Sequence, residues 1–384
     1  RLCRRLVTFP LNMPCHLVQL AENRLDEDAS NNAMGMDMSN TEIRYQFVHD
    51  RIQQAAYSLI PETDRKTVHY QIGQLLLHRA TPEQQDRLLF EIVHHYNTAY
   101  ALIQTSTERR EIAHLNLLAS QKAKASAAYE SAFSYLQAGL SLLEADRWQQ
   151  YYDLTLALYQ SAVEAAYLTG RFEQMDTWAE EVIHHAREPI DRAAVYETKI
   201  QAFAARTQFL QALQMALHAL GELGVELPDQ PTPKEIQLAL RETMALLEGR
   251  SISELIDLPQ MNQPHSLAVM KLLSSAISPA YIAAPNVLPL IIFQQVAWSV
   301  TDGNALSSPF AYAMYGLILC GVVQDIEAGY SFGTLALQLL DRLNAKSLQA
   351  KTFVVVYTNV QVWKQHLRTT LQPLQEAHQA GLDN

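Results

Sequence analysis

The stretch Thr169-Gly170-Arg171-Phe172-Glu173-Gln174-Met175-Asp176-Thr177-Trp178-Ala179 decides the fold. Gly170 punctuates two runs of helix-forming residues, and a glycine between periodic segments reads as an interhelical turn. Phe172, Met175 and Ala179 then fall on one face of the second helix, at spacings of three and four. Ala179 is small where a paired helix must come close, and Pro189 lies beyond the second run. The unit is a helical hairpin.

Working outward, an aromatic residue followed three positions later by a small or medium one recurs at Phe133 and Leu136 and at Phe209 and Ala212. The aromatic positions are 39 and 37 residues apart, close to the roughly 34-residue period of tetratricopeptide repeats. A fourth copy is Ile326 with Gly329, Gly333 and Ala336, 117 residues past Phe209, or three steps of 39. The pattern predicts an all-α chain: an α-solenoid of tetratricopeptide-like hairpins, each unit packing mainly on its neighbours.

Composition agrees. Leucine, alanine and glutamine dominate, while 13 glycines in 384 residues and few strand-forming clusters leave little room for a sheet. The net charge of −11, from 40 acidic and 29 basic residues, argues against nucleic acid or an anionic membrane as the main partner. Three scattered cysteines, Cys3, Cys15 and Cys320, supply neither a disulfide framework nor a zinc site, and a reducing cytoplasm is the expected compartment. The chain opens on Arg1 and closes on Gly381-Leu382-Asp383-Asn384, so we expect a piece of a longer protein.

Helix punctuation is regular from Asp50 onward, with a first helix to Leu59 that stops before Pro61. Thr81-Pro82-Glu83-Gln84 offers an N-cap, a proline at the first helical position and a capping-box glutamine, and Thr105-Ser106-Thr107-Glu108 repeats the start signal. Between Lys271 and Asp325 the only charge is Asp302. Pro279, Pro285 and Pro289, with Gln294, Gln295 and several serines, interrupt that run, so buried core helices are expected rather than a membrane span. Gly224-Val225-Glu226-Leu227-Pro228 through Pro231 and Pro233 is a turn-rich break.

One corner differs from the rest. Ile43, Tyr45 and Phe47 alternate with Arg44 and Gln46, the period of a half-buried strand, and Asp50 with Gln53 then forms a capping-box-like helix start. His49 is held at that strand-to-helix corner. The Phe-x-His-Asp corner resembles the histidine–aspartate motif that ends the winged-helix domain of STAND-type signalling ATPases. The longer string to Tyr57-Ser58-Leu59-Ile60-Pro61-Glu62 is similar to one subgroup of them: large bacterial proteins joining a serine/threonine kinase, an AAA-like ATPase, a helical-repeat region, a GAF domain and a sensor histidine kinase. Ala113-His114-Leu115-Asn116-Leu117-Leu118-Ala119, Tyr315-Gly316-Leu317-Ile318-Leu319-Cys320-Gly321 and Asp325-Ile326-Glu327-Ala328-Gly329-Tyr330-Ser331-Phe332-Gly333-Thr334-Leu335-Ala336-Leu337 carry the same resemblance, which covers roughly residues 43 to 384. Residues 1–40, with a candidate strand at Leu6-Val7-Thr8-Phe9, depart from the family pattern.

The resemblance implies a partial winged-helix element over residues 1–60, followed by tetratricopeptide-like repeats over 61–225 and further helical repeats over 226–384. It also implies that His49 contacts the phosphate of ADP bound in an ATPase domain, that ATP or ADP with Mg belongs to the full-length parent, and that the partners are the parent's own ATPase, GAF and kinase domains. The alternatives for His49 are a buried corner residue bonded to backbone, or a ligand in a metal phosphohydrolase.

Other candidates carry less chemistry. Adjacent helical residues point about 100° apart, so neither His94-His95 nor His184-His185 can chelate a metal through one face. Both doublets read as solvated or core-edge histidines, though His94 and His114 could sit on facing helices. Tyr129, Tyr159, Tyr167, Trp178 and Tyr196 either line a peptide groove or fill the stacked interior, and interior is the better reading. No Gly-x-x-x-x-Gly-Lys-Ser/Thr loop, Gly-x-Ser-x-Gly elbow or kinase catalytic set occurs. The chain is therefore expected to be a non-catalytic regulatory segment of a signalling protein, without a metal or cofactor of its own. A free-standing scaffold for a peptide or protein partner is the alternative, and an all-α hydrolase comes third.

Overall fold

The computed structural model describes residues 57–383. His49, the Leu6–Phe9 strand and residues 1–56 of the expected winged-helix element lie outside the described residues. Those described form helices joined by turns and loops, and a single isolated bridge, Gln260 to Asn304, pairs extended backbone among them. The all-α solenoid stands. The chain folds into two compact units: the described residues up to Ala119 together with Ser141–Glu144, and Ser120–Leu140 together with Ala145 onward.

In the first unit, α1 (Glu62–Arg79) and α2 (Pro82–Thr98) form a hairpin across Ala80 and Thr81. The capping box expected at Thr81 is present: its hydroxyl accepts from the Gln84 N–H (3.4 Å), and the Gln84 carboxamide accepts from the Thr81 N–H (3.2 Å). Gly73 lets the helices close, since a Cβ there would lie 3.0 Å from the Tyr96 ring. The third helix, α3 (Ser106–Ala125), is tied to α2 by two reciprocal amide bonds. Asn97 Nδ2 donates to Asn116 Oδ1 (2.8 Å) and Asn116 Nδ2 returns to Asn97 Oδ1 (3.1 Å), with Asn116 fully buried.

The second unit repeats one turn. The C-terminus of α3 passes to α4 (Tyr129–Leu142) through Ala127 at φ +55°; α5 (Tyr152–Leu168) passes to α6 (Phe172–His185) through Gly170 at φ +72°; and α7 (Pro189–Ala205) passes to α8 (Phe209–Glu222) through Thr207 at φ +59°. Each is a Schellman turn. The residue after the left-handed one donates back five positions (Ala128 to Ala123 O, Arg171 to Ala166 O, Gln208 to Phe203 O, all 2.8–2.9 Å), so carbonyls orphaned by the helix end are satisfied.

These turns set the true register. Phe172 and Phe209 begin their helices two residues after the left-handed position, and their counterpart in the first hairpin is Tyr129 rather than Phe133. The expected first copy was thus displaced by one helical turn. In the corrected register Ala132, Met175, Ala212 and Gly329 are equivalent, as are Leu136, Ala179, Ala216 and Gly333; all eight are buried. Small residues on this stripe bring paired helices together.

Further helices are α9 (Pro233–Leu247), α10 (Pro264–Ala283), α11 (Leu288–Asp302), α12 (Ser308–Ile318), α13 (Ile326–Arg342), α14 (Gln349–Val355) and α15 (Leu371–Asp383). Helix α10 is long and apolar enough, by length and composition, to cross a membrane; half of its apolar window is buried inside the fold. Several polar groups of this apolar segment pair internally: Gln295 Nε2 donates to Ser274 Oγ (2.9 Å), Ser299 and Ser308 hydroxyls meet (2.7 Å), and Tyr312 Oη donates to Asn304 Oδ1 (3.1 Å). At the α12–α13 contact, a Cβ on Gly329 would strike Cys320 Sγ and the Gly316 carbonyl. The two glycine-containing motifs at 315–321 and 325–337 are the two sides of this join. Between them Leu319–Val323 widens into a π-turn that ends at Gln324, φ +64°, in the same place as Ala127, Gly170 and Thr207.

Candidate functional site

Because His49 lies outside the described residues, the first described side chain of its motif string is Tyr57. Its hydroxyl meets His69 Nε2 at 3.0 Å, and His69 Nδ1 meets His95 Nδ1 at 2.8 Å. His94 sets its ring edge-on to His69, with centroids 5.8 Å apart, and the Arg65 guanidinium lies over the Tyr57 ring at 5.1 Å. Helix α1 contributes His69 and Arg65 and helix α2 contributes both other histidines, so this chain of polar rings joins the hairpin to the residue preceding it. Of the two expected to be solvated or core-edge, His94 is exposed and His95 half-buried; His69, which no spacing in the sequence singles out, is buried. His114 is exposed and stands apart from them.

The nitrogen-to-nitrogen contact restricts protonation. One ring must donate and the other accept, so the pair can be neutral or singly charged, while two imidazolium ions would aim N–H at N–H. Burial, followed by the neighbouring His69 and His94, pushes His95 down to about 4. Burial also lowers His69, with His94 adding to the effect. Burial thus biases the His69–His95 pair toward its neutral form. Next to it, the Tyr70 hydroxyl donates to Glu108 Oε1 (2.8 Å) and is pushed up to about 12 by burial and that carboxylate.

The other flagged residues pack. His185 stacks flat on Trp148 (5.0 Å between centroids) and donates from Nδ1 to the Glu181 carbonyl (2.9 Å), while His184 is exposed. Tyr159 and Tyr196 are buried core residues, Trp178 packs on the Phe133 ring, Tyr167 is half-buried, and Tyr129 is exposed at the start of its helix. They line no groove together. Among the described residues, no three histidine, cysteine, aspartate or glutamate side chains converge as metal ligands.

A groove does exist elsewhere in the second unit, between the 226–228 loop, α9 and α11. It encloses a cavity of about 350 Å³. Leu238, Leu246 and Phe293 supply its apolar walls, Glu226, Glu235 and Glu242 stand on its rim, and no basic residue lines it. Glu235 also caps α9, accepting from the Thr232 N–H (2.7 Å), and those bonds hold its carboxyl below the usual range.

No family model matches the chain. It is 23% identical, over 378 aligned positions, to the hybrid signal transduction histidine kinase G of Dictyostelium discoideum. The match takes in 87% of this chain and 11% of that protein, so the chain spans about a ninth of the relative's length. This distant relationship supports a signalling role.

Proposed function

We propose that this chain is a non-catalytic, helical-repeat regulatory segment of a large cytoplasmic signalling protein whose kinase and ATPase activities lie in other domains. The observation that carries the reading is the match of nearly the whole chain to a ninth of a hybrid histidine kinase. A short stretch shared between long signalling proteins has the character of a connecting module. Its fold fits the role, because stacked hairpins pass a displacement from each pair to the next through close contacts.

In this reading the parent combines a STAND-type ATPase with serine/threonine and histidine kinase domains, binds ATP or ADP with Mg, and uses His49 to sense the bound phosphate. The Tyr57–His69–His95 chain connects the motif string to the first hairpin, so a shift at the corner would be felt in α1 and α2. The test is ADP retention by the full-length protein carrying His49→Ala. Faster ADP release with raised basal phosphorylation is expected; unchanged release and unchanged basal activity would make His49 purely structural.

A second reading, a free-standing scaffold that captures a peptide or protein, is favoured by the acidic groove beside α9. The two readings separate on the sequence flanking the chain in its gene: a P-loop upstream supports the first, and an initiator methionine close to Arg1 without an ATPase supports the second.

A further inference from the structure

Helix α9 carries two apolar stripes where a surface helix needs one. Ile236, Leu240 and Leu247 pack against the core of the second unit. Leu238 and Leu246 face the groove instead and remain 56% and 42% exposed. Positions 235, 238, 242 and 246 share one helical face, so the exposed leucines alternate with the Glu235 and Glu242 carboxylates. Across the groove, Glu226 adds a third carboxylate and Phe293 closes the floor. No hydrogen bond or ion pair engages the Glu226 or Glu242 carboxylate among the described residues. Lys234 and Arg241, the basic residues of α9, flank Leu238 on its side away from Glu242, and neither lines the groove.

From this we infer that the groove between α9 and α11 receives a basic amphipathic helix of a partner protein. Its leucine-sized side chains would fill the cavity and its lysines or arginines would meet the rim carboxylates. Charge complementarity selects the partner: an apolar trough whose charged lining residues are all carboxylates attracts a cationic segment and repels an acidic one. Dimensions select a helix. Glu235 and Glu242 are seven residues apart on α9, about 10 Å along its axis, which matches basic residues two turns apart on a docked helix. Apolar anchors at i, i+3/i+4 and i+7 of such a helix are the usual way a groove of this kind is filled. A cavity of about 350 Å³ is at the small end for ligand clefts, room for one or two such anchors. Gln294, on the same wall, offers a carboxamide to the peptide's polar edge. The inference is independent of the activity proposed for the parent.

The experiment uses the whole 384-residue chain and a fluorescein-labelled peptide of about eighteen residues, long enough for a stable helix, with leucines on one face and lysines flanking them. Anisotropy titration should show saturable binding that weakens as salt rises. Replacing the lysines by glutamate, or the leucines by serine, should each weaken binding at least about tenfold. The Glu226→Lys/Glu242→Lys double variant should lose about tenfold for the lysine peptide and gain affinity for the glutamate peptide. Leu238→Ser/Leu246→Ser should lose a similar factor while keeping its thermal melt, because both side chains are already exposed. Equal affinity for the lysine and glutamate peptides, or wild-type binding by either folded double variant, overturns the inference. So does saturable filling of the groove by an uncharged alkyl ligand with no peptide binding, or concentration-dependent self-association abolished by the same substitutions.

Discussion

Two joins between paired helices hold this chain in different ways. The α1–α2 hairpin meets through polar rings, with His69 and His95 in nitrogen-to-nitrogen contact beneath Tyr57. The α12–α13 pair meets through absence: Gly316, Gly329 and Gly333 carry no side chain, and backbone rests on backbone. A polar join can be loosened by a proton, whereas a steric join tolerates only its own shape. The former leaves the first hairpin open to change, and the latter fixes the spacing of its pair.

The largest effect should fall on the steric join. Gly329→Val places carbon where Cys320 Sγ and the Gly316 carbonyl already sit, on backbone that cannot yield cheaply. A loss of about 3 kcal/mol or more in urea denaturation is expected. Wild-type stability would mean that the helices can part without cost. Next comes Asn116→Ala, which strips the Asn97 carboxamide of its reciprocal partner in a buried setting. Leaving such a group unsatisfied costs about 1–3 kcal/mol, and hydrogen exchange in α2 and α3 should rise.

The polar join should respond to acid. The unfolded chain takes up protons at histidine near the ordinary value of 6.5, while folded His95 resists until about 4. The unfolded state therefore binds more protons across that window. The contribution of His95 to stability is complete above about pH 6.5 and is lost as pH falls toward about 4. In His95→Phe, thermal melts should lose part of that slope; an identical pH profile would assign the acid sensitivity elsewhere. The smallest effect has the opposite sign. Thr207 is β-branched and held at φ +59°, so Thr207→Gly should raise stability by roughly 0.5–1 kcal/mol.

That residue also explains what sequence reading could and could not recover. Gly170 announced its turn because glycine is the usual tenant of a left-handed position. Ala127 and Thr207 hold the same geometry without advertising it, and the first hairpin was consequently aligned on Phe133, one turn past its true counterpart Tyr129. The Thr81 capping box was legible because its partners lie three residues apart in sequence. The His69–His95 contact was not, since it depends on the register between two helices rather than on any spacing within one. Nor was the groove. Helix α9 is apolar on more than one face, and only the packing of Ile236, Leu240 and Leu247 reveals which leucines are left over.

In the function proposed above, this segment transmits a state without performing chemistry. The most direct measurement is phosphoryl transfer by the full-length parent, with ADP or ATP bound, before and after deletion of residues 62–383. Transfer should survive the deletion but become the same in both nucleotide states. Transfer lost although the kinase domain remains folded would make the segment catalytic, and transfer that still tracked the nucleotide would make it a bystander.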